Sequence, residues 1–307
     1  MSTSRGLVLR ARSGFYTIAT DDGDLVEARL RGRVKRERQA SDLAVIGDRV
    51  EVERLPDGTG AIAAVEPRRT RFSRRQPGPR GSWREDVMVA NPDLVVIVFS
   101  VDRPPPNPRL IDRFLVVTEY NEVPALLVAN KVDLGVDSAR AVFGPYERIG
   151  YDVQFAGAKS GIGIEPLRER LAGRLSIVTG PSGVGKSTLL NALQPGLQLA
   201  TGDVSSAEEG KGKHTTTHAE LLPLDGPAGG YVADTPGIRE LGLWEIPPTE
   251  LAWCFPEFRD HLGACAFNDC SHLHEPRCGL RAAVGRGDVS EERYDSYRRL
   301  LTGDLAG

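Results

Sequence analysis

The sequence predicts a three-part chain: an N-terminal β-barrel of the OB-fold type, a central α/β domain built on a phosphate-binding loop with its motifs in circularly permuted order, and a small α-rich C-terminal domain that binds zinc. Three observations carry this. Short alternating segments crowd residues 7–66, Gly180-Pro-Ser-Gly-Val-Gly-Lys-Ser187 follows rather than precedes Asn130-Lys-Val-Asp133, and three of the four cysteines fall between Cys265 and Cys278. The expected boundaries are 1–66 for the barrel, 67–85 for a basic linker, 86–245 for the α/β domain and 246–307 for the metal-binding domain.

The barrel comes first. GLVLRARSGFYTIAT and LVEARLRGR alternate apolar and polar residues across the turn Asp21-Asp-Gly-Asp24, and Asp48–Glu53 and Ala61–Val65 continue the pattern. Period two is the signature of half-buried strands, and roughly five of them in 60 residues suit a small closed barrel. Six of the ten residues from Arg29 to Arg38 are basic. Arg29, Arg31, Arg33 and Lys35 stand at period two and hence on one face of a strand; Arg36 and Arg38 extend the charge. A basic face on a small barrel is suited to a phosphate backbone, although a charged strand edge also serves simply to keep a sheet soluble.

Residues 67–85 are rich in Arg, Pro and Gly, with Arg68, Arg69 and Arg71 opening a second basic cluster. Such a composition predicts an irregular, mobile linker that meets RNA.

From Asp86 the pattern turns α/β. Leu94–Ser100 is a continuous apolar strand, Arg109–Tyr120 an amphipathic helix and Pro124–Ala129 a buried strand. A helix over 138–149, a strand over 152–155 and a helix from about Glu165 follow. Arg174–Thr179 then leads as a strand into GPSGVGKS, which matches the phosphate-loop pattern, and Ser187–Leu193 continues as a helix. Gly180, Ser182, Gly183, Val184 and Gly185 would wrap phosphate with backbone N–H groups, Pro181, which has none, would shape the loop between them, and the helix N-terminus adds partial positive charge. Lys186 would bridge the β- and γ-phosphates, Ser187 would ligate Mg²⁺, and Thr188 completes the first turn.

Asn130-Lys-Val-Asp133 ends a strand, and this placement suits a base-reading loop. The Asp133 carboxylate can accept the N1–H and 2-amino protons of guanine, whereas adenine offers a lone pair there. A buried carboxylate left unpaired is costly, so one residue can reject ATP and disfavour an ATP-dependent nucleic-acid enzyme. Asn130 would tie the loops, Lys131 would cover the ring face, Val132 completes the motif, and the Ala158 N–H of Gly157-Ala-Lys-Ser160 would meet the guanine oxygen.

Residues 201–218 are polar and Gly-rich, as a loop that senses γ-phosphate should be, with Thr215 or Thr216 as a second Mg²⁺ ligand. The strand Tyr231–Ala233 runs into Asp234-Thr-Pro-Gly237, where Asp234 would hold Mg²⁺ through water and the Gly237 N–H would meet the γ-phosphate. The next residue is Ile238, which cannot orient water by hydrogen bonding. His214, beside the switch threonines, is the candidate for that role.

Cys265, Cys270, His272 and Cys278, in the spacing C-x4-C-x-H-x5-C, supply four N/S ligands for one tetrahedral Zn²⁺ with no open position, the mark of a structural site. His274 competes for the fourth place, and Cys254 reads as a core thiol. Residues 291–301 form a terminal helix with Tyr294, Tyr297 and Leu301 on one side.

Charge is unevenly spread over the 307 residues. The net charge is −3, yet residues 1–85 hold 18 Lys+Arg against 12 Asp+Glu, which points to a polyanionic partner. No apolar run approaches the ~20 residues a membrane-spanning helix needs, and no secretory pattern opens the chain, so a cytoplasmic protein without membrane attachment is expected.

Guanine motifs usually begin with the phosphate loop; here the order is NKVD, GAKS, GPSGVGKS, HTTT, DTPG. With a basic barrel before it and C-x4-C-x-H-x5-C after it, the chain resembles the ribosome small-subunit-dependent GTPase A family over about residues 5–300. That resemblance implies an OB-fold domain, a permuted P-loop GTPase domain and a zinc domain. It implies GTP hydrolysis with Mg²⁺, stimulated by the small ribosomal subunit and its rRNA late in maturation, and a monomer is expected. Two positions depart from the family's usual pattern: Lys213 stands where Arg is common before the His, and GAKS replaces a serine-first form.

Overall fold

The structure, a computed structural model, describes residues 3–32, 44–77, 83–197, 219–234 and 246–304. Strands β1 (Thr3–Arg12), β2 (Phe15–Thr20), β3 (Leu25–Leu30), β4 (Arg49–Arg54) and β5 (Gly60–Val65) run in the order β1-β2-β3-β5-β4, and β4 pairs back onto β1 to close a five-stranded barrel. Alternation drives closure: Val8, Ile18, Val26, Val50, Val52 and Ile62 point inward and are at most 3% exposed. Each such aliphatic side chain stabilises the barrel by about 1.5–3 kcal/mol.

The basic stripe does not stay in register with this pattern. Strand β3 ends at Leu30, so only Arg29 of the period-two set lies on it, and Arg33, Lys35, Arg36 and Arg38 lie outside the described residues.

The segment expected to be an irregular linker is instead a hairpin. Strands β6 (Arg71–Pro77) and β7 (Trp83–Ala90) pair antiparallel, from Arg71 opposite Ala90 to Pro77 opposite Trp83. Phe72 and Val89 are fully buried in the main core. Arginine density masked the apolar anchors: Glu85 and Asp86 on β7, and Asp93 just after it, offset Arg71, Arg74 and Arg69.

The central domain follows the expected alternation: β8 (Leu94–Ser100), α1 (Pro108–Tyr120), β9 (Ala125–Asn130), α2 (Val136–Ile149), β10 (Asp152–Phe155), α3 (Ile164–Leu171), β11 (Leu175–Thr179), α4 (Lys186–Leu193), β12 (Ala219–Pro223) and β13 (Tyr231–Asp234). The sheet order is β10-β9-β8-β11-β13-β12; β12 pairs antiparallel to its neighbour and the others are parallel. β12 also meets β1, Arg10 opposite Glu220, so barrel and central sheet are hydrogen-bonded into one surface. All seven residues of β8 are buried because apolar side chains cover both faces of the sheet.

The C-terminal part packs α5 (Pro248–Leu251), α6 (Arg259–Leu262), α7 (Gly279–Arg286) and α8 (Glu291–Thr302) around Phe255, Phe258 and Tyr297. α8 starts at Ser290, whose hydroxyl accepts the Arg293 N–H at 3.2 Å, and stops at Gly303 in the left-handed region, φ +72°. As expected, Tyr297 is packing, 1% exposed, and Cys254 is a buried thiol donating to the Glu250 carbonyl. Among the described residues no helix is long and apolar enough to cross a membrane.

Candidate functional site

Parallel strands β8, β9, β11 and β13 end on one side, which brings Ser100, Asn130, Thr179 and Asp234 to the same edge of the sheet. In open α/β sheets ligands bind at that carboxyl edge. The phosphate loop leaves β11 there. Gly180 has φ +140°, and a Cβ on it would sit 2.1 Å from the Val98 carbonyl oxygen, so only glycine lets the loop cross β8 this closely. The Lys186 ammonium lies inside the loop, donating to the carbonyls of Gly180 (2.7 Å) and Pro181 (2.6 Å). Ser182 and Gly183 are exposed at the tip, Val184 is buried beneath, and Ser187 and Thr188 occupy the first turn of α4, half-buried.

NKVD stands directly beside this loop. Asn130 is 1% exposed; its Nδ2 donates to the Val184 carbonyl at 2.9 Å, and its Oδ1 accepts the Ala158 N–H at 3.4 Å. One side chain therefore joins three of the five motifs that were expected to meet guanine nucleotide. Gly185, φ +93°, is needed for this, because a Cβ there would come within 2.7 Å of Asn130 Nδ2. Lys131 takes a left-handed backbone, φ +63°, and its Nζ donates to the Gly183 carbonyl at 2.8 Å and to the Arg103 carbonyl. The Val132 side chain is buried, so this residue can offer a ligand only backbone. Asp133 is exposed, and a Cβ on Gly157 would press on its Oδ1 at 3.1 Å, so the carboxylate faces the GAKS turn.

His214, Thr215, Thr216 and Gly237 lie outside the described residues, and Asp234 is described only as the last residue of β13. The Arg103 carbonyl in the segment after β8 is a contact that sequence reasoning missed. The adjoining run of prolines marked only a loop.

The expected metal ligands converge. One ligand atom from each of Cys265, Cys270, His272 and Cys278 lies within 4.8 Å of the others. Cys265 Sγ is 3.9 Å from Cys278 Sγ, and both sulfurs are 3.5 Å from His272 Nδ1. A tetrahedron with bonds near ~2.3 Å has edges of about 3.8 Å, so these spacings suit one zinc ion held through Nδ1. His272 lies within the cluster, whereas His274 is exposed and outside it. Backbone N–H groups of Gly279 and Arg281 point at the sulfurs of Cys265 and Cys278 at 3.3 and 3.4 Å. Burial lowers the His272 pKa, which favours the neutral imidazole that a metal needs. Glu275 organises the turn between ligands, accepting from Ser271 and from the Leu273 and His274 N–H groups; the Ser271 hydroxyl bond is the leading reason that its carboxyl titrates below the usual range.

The basic residues divide. Arg68 makes a two-pronged pair with fully buried Asp48, 2.8 and 2.9 Å, and is structural. Arg31 pairs with Glu53, Arg69 with Asp93 and Arg71 with Glu85, all at the surface. Arg29 lies 4.0 Å over the exposed Phe15 ring.

Comparison with known proteins agrees with this geometry. The RsgA N-terminal domain family matches residues 5–62 and the RsgA GTPase family matches residues 65–244. A small ribosomal subunit biogenesis GTPase RsgA of Gemmatimonas aurantiaca is 46% identical over 98% of this chain and 97% of its own. One from Moorella thermoacetica is 41% identical over the same shares. Among solved structures, YjeQ from Thermotoga maritima superposes with a TM-score of 0.80 at 36% identity over the whole of both chains. YloQ, described as a circularly permuted GTPase, superposes with a TM-score of 0.75 at 29% identity, covering 100% of this chain and 97% of its own. With a nucleotide-type edge in permuted order and matches spanning the barrel and the central sheet, the chain belongs to the RsgA GTPase family.

Proposed function

We propose that this protein hydrolyses GTP to GDP and phosphate, and that it does so on the small ribosomal subunit during late maturation, with its activity raised by that subunit. The observation that carries the nucleotide part is Asn130, which locks NKVD, the phosphate loop and the GAKS turn together. The ribosomal part rests on the names of relatives that align over nearly the full chain.

Asp133 reads the guanine edge, Ala158 offers its N–H to the guanine oxygen and Lys131 covers the ring. The backbone N–H groups within 180–188, Pro181 excepted, and the α4 N-terminus hold the phosphates. Lys186 exchanges its present carbonyl partners for the β- and γ-phosphate oxygens, where it offsets charge that grows as water attacks in line. The family implies Mg²⁺, which when bound would neutralise phosphate charge; Ser187, in the first turn of α4 behind the loop, Thr215 or Thr216, and Asp234 are its candidate holders. Gly237 meets the γ-phosphate. Ile238 leaves the attacking water to His214, and we assign completion of the site to the subunit.

Cys265, Cys270, His272 and Cys278 hold one structural Zn²⁺. Its chemistry is to close the loop 265–278 rather than to activate substrate, since four protein ligands leave no open position. Arg29, Arg31, Arg33, Lys35, Arg36, Arg38, Arg69 and Arg71 form the rRNA-facing charge; Arg68 is withdrawn from that set because Asp48 holds it. We infer a cytoplasmic monomer whose working units follow 1–66, 67–85, 86–245 and 246–307, with the second acting as part of a hairpin.

Nucleotide competition tests the assignment. Fluorescent GDP bound to the protein should be displaced by GTP and left in place by the same concentration of ATP; equal displacement by ATP contradicts it.

A further inference from the structure

A chain of contacts, buried at Asp112 and exposed at the Lys131 hydrogen bonds, runs from the zinc cluster to the guanine-binding loop. It begins at the backbone of the ligand turn. Tyr294 Oη donates to the carbonyl of His272 at 2.6 Å, and Tyr297 Oη to that of Ser271 at 2.8 Å. Both tyrosines stand on α8. Arg293, adjacent to Tyr294 on this helix, is 5% exposed; its Nε donates to Glu257 Oε1 and its Nη1 to Asp112 Oδ1 on α1, each at 2.6 Å. Burial opposes the charge on Arg293, but Asp112 and Glu257 more than offset it and raise its pKa.

From Asp112 the contacts turn toward the nucleotide edge. Tyr146 of α2 donates to the same Asp112 oxygen at 2.8 Å and lies 3.1 Å from the Pro108 carbonyl. Pro108 is the first residue of α1, and the segment 101–107 that leads to it carries the Arg103 carbonyl to which Lys131 donates. Lys131 in turn holds Gly183 of the phosphate loop. A Cβ on Gly183 would lie 3.6 Å from Pro104 Cδ, so the same segment also packs against the loop tip.

Ion pairs of this kind have discrete arrangements. An Asp112 carboxylate at 2% exposure that lost Arg293 would be a buried charge short of a partner, and α1 would have to shift to rehydrate it. We propose that metal occupancy of the Cys265–Cys278 cluster and guanine-nucleotide binding are energetically coupled through Arg293 and Asp112, with Tyr146 as a positioning residue for Lys131. This rests on the reading of Lys131 as a guanine contact and of the cluster as a zinc site. Coupling of binding equilibria is reciprocal, so each ligand must tighten the other by the same factor. A contiguous path becomes a mechanism only when both ends are shown to bias it.

The test uses the full-length, zinc-loaded protein. Release of zinc to a chromogenic chelator is timed with and without saturating GDP, and fluorescent GDP dissociation is timed on the same samples. GDP should slow zinc release by about fivefold or more, a typical coupling factor. Tyr146→Phe removes one hydroxyl and leaves the ring in place; it should keep one zinc per chain, speed GDP release by about threefold and erase most of the GDP effect on zinc. Arg293→Lys, which cannot make both contacts, should do the same, while Arg299→Ala, which breaks the half-buried pair with Asp295 on α8, should change neither rate. Zinc release that ignores GDP in the wild type, or a Tyr146→Phe protein that retains the full GDP effect, overturns the coupling. A wild type that binds no GDP or carries no zinc overturns the underlying reading, and the coupling falls with it.

Discussion

Asn130 donates from Nδ2 to the carbonyl of Val184 at 2.9 Å, across 54 positions of sequence, and this bond fixes the base-reading loop against the phosphate loop. The other end of the same amide accepts from Ala158. Replacing Asn130 with Ala leaves a buried carbonyl and an N–H without their partner, a cost of about 1–3 kcal/mol. GDP affinity measured by calorimetry should fall by roughly tenfold or more, which corresponds to about 1.4 kcal/mol.

Asp133 is the residue to which the proposed function gives the choice of base. Asp133→Asn turns an acceptor into a group that can donate, so it loses the N1–H and 2-amino protons of guanine and suits the 2-oxo group of xanthine. Competition binding should show affinity for GDP falling and affinity for XDP rising, by about tenfold or more in their ratio.

Arg68 and Arg71 separate structural from surface charge. Arg68→Ala strands Asp48, which is 0% exposed, and should destabilise the barrel by about 3–5 kcal/mol, visible as a lower melting temperature. Arg71→Ala loses only a surface pair and should leave melting within about 0.5 kcal/mol of wild type. Affinity for single-stranded RNA should fall for Arg71→Ala, with a shallower dependence on salt, as counterion release requires.

The cluster of Cys265, Cys270, His272 and Cys278 supports the packing of the C-terminal helices. Metal analysis should find one zinc per chain. Cys265→Ser, or a strong chelator, should expose Tyr294 and Tyr297, whose hydroxyls depend on the ligand turn for acceptors, and near-ultraviolet circular dichroism should lose tyrosine signal. The barrel, whose core is separate, should melt unchanged.

The barrel, the central strands and the clustering of Cys265, Cys270, His272 and Cys278 were legible because each rests on a local rule. Alternation placed β1 to β5, the continuous apolar run placed β8, and compact Cys/His spacing placed the cluster. What escaped was set by distant partners. Arg68 looked like one more basic residue of a linker; Asp48, twenty positions earlier, made it structural. The hairpin β6–β7 was hidden because Phe72 and Val89, its buried anchors, are outnumbered by arginines that pair with carboxylates across the strands. The stripe from Arg29 to Lys35 was read as one strand face, but β3 ends at Leu30. Asp112 and Arg293, 181 positions apart, carry no motif at all.

Full activity of this GTPase is assigned by the proposed function to the small ribosomal subunit, because Ile238 stands where a water-orienting side chain would otherwise follow Gly237. The direct measurement is the rate of phosphate release from GTP with and without purified small subunits, for the wild type and for His214→Ala. The account predicts that subunits raise the wild-type rate by about tenfold or more, and that His214→Ala loses most of this rise while keeping its affinity for GDP. A wild-type rate that small subunits leave unchanged would contradict it.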